Sequence, residues 1–454
     1  MPSPAPQSDA YRLILVCRKT RRILLQRLGT RLCLPRIFVP RWTRAAYQIQ
    51  RLIRKHWTID AITLDFLGER PGGDTIVLME SVRQAISLPT QYLWTTLVDL
   101  PTADLNPVEQ VAVSRLISSG ETGRGTFSRL GWIDDALAWI DAVTPHSGLT
   151  PRWKVEQFNA SATASLIRVS DSNRRAYWFK ATGPPGDSEA RITRTLASLF
   201  STYLPEVIGF HPHWNAWLMA EEGTALSENT LNRFNLDRVV DRLARLQRES
   251  SEHVATLVSS GCQDHRMSML YVALGEMTPY LEGAVSNQDT QTGPRIRAAR
   301  IRQIKALVEE ATSRFSEMRI PDTLLHGDFS FENILVSRRS CLFTDWAQAS
   351  VGNPFVTFEH LLLQLRQTEH GKKHLDRAAT IYCGNWSNTI SATHIRDTLK
   401  WLPLVAIAST LRCRRAWLTA TGIAQPLSQS YARILARQLD RAAQMIEKDI
   451  SICA

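Results

Sequence analysis

The chain has 454 residues, 44% hydrophobic and 21% charged, with a formal net charge of +11. That length exceeds one ordinary core, so two or three domains are expected, and the composition excludes an intrinsically disordered chain. Seven scattered cysteines without a C-x-x-C pair exclude a disulfide framework and a structural zinc site, and point to a reducing compartment.

No apolar run approaches the roughly 20 residues that span a bilayer. The start Met1-Pro2-Ser3-Pro4-Ala5-Pro6 is a poor signal peptide. A cytoplasmic protein without a membrane association is therefore expected, its oligomeric state left open. The positive charge is local. Residues 1–60 carry 13 Lys and Arg against 2 Asp and Glu, leaving 41 of each sign in the remainder. Two readings of this basic field stand, attraction of nucleic acid or another polyanion and a solvated arginine-rich face. The second is favoured, because no aromatic-interleaved binding motif accompanies the arginines.

Residues 1–118 make the first expected domain, a basic α/β unit. Residues 11–17 and 22–27 read as a strand hairpin around Arg18-Lys19-Thr20-Arg21. Residues 42–56 have helical spacing, and 61–67, 75–80 and 92–97 are strand-like. A helix is predicted over 107–117, with Asn106 as cap and Pro107 at its first position. The succession Ile23-Leu24-Leu25-Gln26-Arg27, Leu34-Pro35 and the helical stretch 51–59 resembles a Nudix domain. Leu52, Lys55 and His56 stand where that resemblance calls for Mg²⁺-binding carboxylates, and neither leucine nor lysine coordinates a hard cation. The resemblance thus implies a retired, packing or binding domain instead of a pyrophosphohydrolase.

Residues 119–150 read as a connector, flexible at Ser118-Ser119-Gly120-Glu121-Thr122-Gly123-Arg124-Gly125, with a short helix over 132–143 that Pro145 and Gly148 end. Residues 151–222 then give strands at 153–158, 166–169 and 175–180, a helix over 188–200, and strands at 206–210 and 216–219. This is the order of a kinase small lobe. By position, Lys180 reaches nucleotide phosphates, Glu189 holds it through an ion pair, and Met219-Ala220-Glu221 offers backbone groups to an adenine ring.

Residues 223–454 are largely helical. Leu236, Val239, Val240, Leu243 and Leu246 form a core-facing stripe. A polar loop is expected at 288–294 and helices at 297–315, 358–365, 395–411 and 430–446. Between them lies Leu325-His326-Gly327-Asp328-Phe329-Ser330-Phe331-Glu332-Asn333-Ile334-Leu335, followed by Leu342-Phe343-Thr344-Asp345-Trp346. Two short strands joined by Ser337-Arg338-Arg339-Ser340 would make a hairpin with Asp328, Asn333 and Asp345 near its ends. A base, an amide and a second carboxylate are what phosphoryl transfer with Mg²⁺ and ATP requires.

The series His-Gly-Asp, Asn333, Asp345-Trp346 and Gly352-x-Pro354 resembles the aminoglycoside phosphotransferase and choline kinase-like family, over about two thirds of the chain. The resemblance implies an α+β, protein-kinase-like two-lobed fold with a small antiparallel β lobe and a larger helical lobe, preceded here by a separate N-terminal domain. It implies Asp328 as catalytic base, Asn333 and Asp345 as Mg²⁺ ligands, Lys180 on the ATP phosphates, and His326 as a brace of the catalytic loop. Three departures stand out. The turn Asn159–Ser165 has no glycine, Ala347 follows Asp-Trp where an acid is common, and Thr357 replaces the aspartate of Gly-x-Pro-x-x-Asp. The leading expectation is an ATP-dependent kinase acting on a small-molecule hydroxyl. The alternative is a non-catalytic nucleotide-binding regulator or scaffold whose basic N-terminal domain binds a polyanion or protein partner. The 13 Lys and Arg against 6 Asp and Glu of residues 366–454 tilt the acceptor away from a polycationic drug, leaving a sugar, an amino alcohol or an anionic metabolite.

Overall fold

The structure, a computed structural model, describes residues 8–68, 74–83, 88–96, 105–145, 153–173, 175–286, 295–413 and 426–453. The polar loop expected at 288–294 lies outside the described residues. The chain forms two compact units, residues 1–190 with 206–221 and residues 191–205 with 222–454.

The first unit holds two sheets. In the first are β1 (Ser8–Cys17), β2 (Arg22–Leu28), β3 (Arg31–Cys33), β4 (Arg36–Pro40), β5 (Asp60–Phe66), β6 (Thr75–Arg83) and β7 (Tyr92–Thr95), with α1 (Ala45–Trp57) following β4. Strand β1 is the hub, parallel to β6 and antiparallel to β2 and β4. Its run Leu13-Ile14-Leu15-Val16 is apolar without alternation because both faces are covered, and all four side chains are fully buried. Then comes α2 (Pro107–Ser119), which opens on a reciprocal capping box between Asn106 and Glu109 with Pro107 at its first turn. After α3 (Trp132–Val143), the second sheet is an antiparallel set of β8 (Lys154–Ala160), β9 (Ser165–Ser170), β10 (Ala176–Ala181), β11 (Val207–Phe210) and β12 (Ala216–Ala220), in the order β11-β12-β10-β9-β8. Helix α4 (Glu189–Leu199) lies between β10 and β11 in the chain.

The segment expected as a flexible connector is packed. Phe127, Trp132, Ile133, Ala136 and Ile140 share one apolar core with Val16, Ile23 and Leu78 of the first sheet and Ile167, Val169 and Phe179 of the second. Its glycines are there for tight turning: Gly120 and Gly131 have φ of 85° and 83°, a region that favours glycine. A buried amide adds to the apolar contact. The fully buried Gln157 of β8 takes the Thr63 amide at 2.7 Å through Oε1 and donates Nε2 to the Thr63 carbonyl at 2.9 Å, standing in for a strand partner of β5. The Gln157 amide in turn donates to Oε1 of Gln50 on α1 at 3.0 Å. The first sheet, expected as a separate domain, thus shares its core with the second.

The second unit is mostly helical: α5 (Arg233–Ser250), α6 (Val254–Ser259), α7 (Met267–Ser286), α8 (Ala298–Glu317), α9 (Phe355–Leu365), α10 (Gly371–Trp386), α11 (Ala392–Cys413) and α12 (Pro426–Cys453). The predicted stripe on α5 is buried at all five positions. Two small sheets sit among the helices, β13 (Thr224–Ala225) with β16 (Ile334–Val336) and β17 (Cys341–Phe343), and β14 (Gln263–His265) with β15 (Thr323–Leu325) and β18 (Ser350–Gly352). The protein is therefore α+β, with a β-sheet lobe and a helical lobe. Among the described residues no helix is long and apolar enough to cross a membrane.

Candidate active site

The hairpin read around Ser337–Ser340 is present. Ile334 pairs with Phe343 and Val336 with Cys341. Asn333 directly precedes the first strand and Asp345 follows the second, so their side chains emerge at one end of the hairpin. Asp328 joins them through the backbone: Nδ2 of Asn333 donates to the Asp328 carbonyl at 2.8 Å, and the Thr344 amide donates to the Asn333 carbonyl at 3.0 Å.

His326 closes the network from beneath. Its ring is buried, Nε2 donates to the Thr344 carbonyl at 2.8 Å, and Nδ1 accepts the Asp328 amide at 3.3 Å. Both contacts require the neutral tautomer with the proton on Nε2. Trp346 and Phe329 pack on the ring, their centroids 4.6 Å and 5.5 Å away. The His326 amide itself donates to Thr357 Oγ1 at 3.0 Å. A hydroxyl here takes a loop amide, so the threonine that departs from the family pattern still anchors the loop. Gly327 is fixed by space, since an added Cβ would lie 2.4 Å from the Gln348 carbonyl oxygen.

Within this buried frame the Asp328 and Asp345 side chains are exposed and Asn333 is half-buried. Asp345 has φ 65° and ψ 68°, a left-handed conformation in which aspartate is enriched and which costs backbone energy.

In the first unit, Lys180 Nζ lies 2.6 Å from Glu189 Oε1, with the two side chains 17% and 1% exposed. Lys180 sits on β10 opposite Trp217, whose ring centroid is 5.7 Å from Nζ. The segment Met219-Ala220-Glu221 ends β12. Its Ala220 and Glu221 amides donate to the carbonyls of Glu206 and Ala176, both at 2.9 Å, so these two donors are engaged within the sheet. The Glu221 carboxylate accepts two bonds from Arg168, at 2.6 and 2.7 Å, and one from Trp178 Nε1 at 3.1 Å. The glycine-free turn is also occupied. Ser161 Oγ accepts the Ala164 amide at 3.0 Å, and the Ala162 carbonyl accepts the Phe127 amide at 3.0 Å.

The structure therefore brings His326, Asp328, Asn333 and Asp345 together in one unit, and Lys180, Glu189 and the 219–221 segment in the other. The chain is similar in structure to a choline kinase from Cryptosporidium parvum Iowa II, with TM-score 0.48 and 11% identity over 70% of this chain and 96% of that one. It is similar to the GDP complex of aminoglycoside 2'-phosphotransferase-IIIa, with TM-score 0.47 and 16% identity over 67% and 97%. It is also similar to an ethanolamine kinase of Plasmodium vivax, with TM-score 0.45 and 14% identity over 64% and 82%. No family model matches the chain, and no curated protein matches it.

Beside Asp328 the second unit contains a cavity of about 220 Å³. The loop residues Gly327 to Ser330 form one wall, and α9, α11 and α12 form the others. Sequence reasoning missed the polar residues that line it: Gln348, His360, Gln364, Thr410, Tyr431 and Gln438. A signal existed, because His360 and Gln364 are one turn apart on α9, and Tyr431 and Gln438 two turns apart on α12, each set inside an apolar stripe. His360 Nε2 meets Thr410 Oγ1 at 3.2 Å, and burial pushes its pKa down to about 4, so the ring is neutral at pH 7.

Proposed function

We propose that the protein transfers the γ-phosphoryl group of ATP, with Mg²⁺, to a hydroxyl of a small molecule. The observation that carries this reading is the His326–Asp328–Asn333–Thr344 network, from which an exposed carboxylate meets a cavity of acceptor size. Asp328 accepts the proton of the acceptor hydroxyl and orients its oxygen for in-line attack. His326 holds the Asp328 and Thr344 backbones in register, so the carboxylate and the Asp345 side chain keep a fixed relation without a large reorganisation cost. Lys180, fixed by Glu189, donates to the α- and β-phosphate oxygens. The donor set fits a hard cation. With Nδ2 of Asn333 committed to the Asp328 carbonyl, its Oδ1 and the Asp345 carboxylate would be the oxygen ligands that hold Mg²⁺. The ion held there would supply charge neutralisation on the nucleotide phosphates.

The test is transfer of labelled γ-phosphate to a metabolite library by wild type and Asp328→Ala. The variant is expected to lose roughly 10²- to 10⁴-fold in rate. Equal turnover in both would sink the assigned mechanism. The alternative is a nucleotide-binding regulator that performs no transfer. Tight Mg²⁺-ATP binding with transfer to no acceptor would select that reading.

For residues 1–118 the reading is a packing role, supported by the core shared with the second sheet and by the Gln50–Gln157–Thr63 amide chain. Its basic field is partly neutralised internally. Arg12 and Arg36 pair with Asp74, Arg41 with Asp9, and Arg54 with Asp60. A flat salt dependence of nucleic-acid binding would rule out a phosphate-tracking surface there.

A further inference from the structure

We infer that the phosphate acceptor is an uncharged, hydroxyl-rich molecule about the size of one sugar ring, held by amides and hydroxyls instead of by charge. This rests on the phosphotransfer reading above.

The cavity beside Asp328 carries the argument. Among the described residues that line it, Asp328 is the sole carboxylate, and there is no lysine or arginine. Besides Asp328, the polar side chains of the lining are three primary amides (Gln348, Gln364 and Gln438), three hydroxyls (Ser330, Thr410 and Tyr431) and the imidazole of His360. Each amide carries two donors and a carbonyl acceptor, and a hydroxyl carries one donor with acceptor lone pairs, although the Thr410 proton is already given to the Ala406 carbonyl at 2.9 Å, which leaves that oxygen as an acceptor. That inventory complements alcohol groups, which both donate and accept.

It does not complement charge. An ammonium group taken from water into a half-enclosed site needs a carboxylate or an aromatic face to offset its desolvation. Asp328 is committed to the reacting hydroxyl, and Tyr431 is the one aromatic ring of the described lining that is not buried in the core. A phosphate or carboxylate group would need a cationic fork, and the lining offers none. His360 does not supply that charge, since its burial keeps it neutral. Among the described residues, the positive charge of 366–454 contributes nothing to the pocket wall.

Size points the same way. A cavity of about 220 Å³ is only modestly larger than the ~150 Å³ that accommodates benzene. It admits one five- or six-membered ring bearing hydroxyls. The aliphatic walls Ile407 and Leu435 suit the C–H face of such a ring, while the amides address its rim.

The experiment uses the full chain with Mg²⁺-ATP and three acceptor sets. One is uncharged (monosaccharides, polyols and nucleosides), one cationic (choline, ethanolamine and kanamycin) and one anionic (sugar monophosphates). Transfer confined to uncharged members is expected. A kcat/KM for any cationic or anionic member equal to that of the best uncharged one overturns the inference while leaving the kinase reading intact. If γ-phosphate reaches no acceptor, the kinase reading fails separately, and ligand-induced thermal shifts with the same sets still probe the pocket. A shift from the uncharged set alone upholds the inference; a shift from a charged set, or from none, overturns it. A Gln364→Glu variant should improve the apparent affinity for the cationic set by roughly tenfold, a change of about 1.4 kcal/mol. No gain from that added carboxylate would mean that Gln364 does not face the ligand, and would also overturn the assignment.

Discussion

The imidazole of His326 joins the segments that carry Asp328 and Asp345, donating to the Thr344 carbonyl at 2.8 Å while accepting the Asp328 amide at 3.3 Å. It touches no reacting atom in the proposed mechanism, so its contribution is positional. His326→Leu leaves the part-buried Thr344 carbonyl and Asp328 amide without their partner, at no more than about 1–3 kcal/mol each. The expected outcome is a 10- to 100-fold fall in kcat, equivalent to about 1.4 kcal/mol per tenfold, with the KM for ATP changed much less. His326→Gln, whose amide can still donate to Thr344, should recover part of the loss. Steady-state kinetics on the three proteins decide the matter. A KM effect as large as the kcat effect would contradict a positioning role.

Lys180 and Glu189 form a pair in which the carboxylate is only 1% exposed. Removing one partner strands a charge in the interior, which typically costs about 3–5 kcal/mol. Lys180→Met and Glu189→Leu should each lower the free energy of unfolding in urea by that order, and the double variant should lie closer to wild type than either single one. Strict additivity in a double-mutant cycle would mean that the pair is not coupled in solution. Both single variants should also weaken Mg²⁺-ATP binding.

How much of this was readable beforehand follows the range of the interactions. The Asn106 cap, the hairpin that sets Asn333 and Asp345 at one end, and the stripe on α5 are local in sequence, and each was legible from spacing alone. Residues 119–131 were not. Serine and glycine enrichment is the composition both of a linker and of a segment making tight turns into a core, and only the burial of Phe127 and Trp132 separates the two. Thr357 looked like a lost aspartate, yet its hydroxyl meets the His326 amide, a partner 31 residues away. The cavity beside Asp328 depends on long-range packing in the same way. The pairs His360 with Gln364 and Tyr431 with Gln438 show in the spacing of single helices, but their convergence with Thr410 depends on how α9, α11 and α12 pack.

The turn Asn159–Ser165 is confined from two sides. An added Cβ at Gly183 would lie 2.6 Å from Thr163 Cβ and 2.8 Å from its carbonyl oxygen, and one at Gly125 would lie 2.2 Å from the Ala162 oxygen. These glycines let neighbouring segments approach the turn, a packing solution in place of glycines within it. Gly183→Ala must displace the turn, with an overpacking cost of about 1–3 kcal/mol. The KM for ATP should rise several-fold with a smaller change in kcat, because the displaced group lies on the proposed nucleotide side. An unchanged KM would detach this turn from phosphate binding.

Glu80 gives the first sheet a pH-dependent stability. Its carboxyl is buried and accepts the Gly131 amide at 2.8 Å, with Arg18 at 3.6 Å. Burial raises its pKa from 4.5 to about 7, with the Gly131 amide and Arg18 opposing the shift and Asp134 adding to it. The folded state therefore keeps the proton between pH 4.5 and about 7, where the unfolded chain has released it. The resulting stabilisation is complete below pH 4.5 and disappears as pH rises towards 7, up to about 3 kcal/mol in all. His265 and His360, with pKa values pushed down to about 3 and about 4 by burial, impose the opposite slope from pH 6.5 downwards, so the contrast with a Glu80 variant is what isolates this group. Glu80→Gln keeps the acceptor for Gly131 and removes the titration. It should match wild type near pH 4.5 and exceed it by up to about 3 kcal/mol at pH 8 in urea unfolding. A difference between the two proteins that stays constant from pH 4.5 to pH 8 would show that Glu80 ionises without penalty, and that Arg18 suffices to hold its charge.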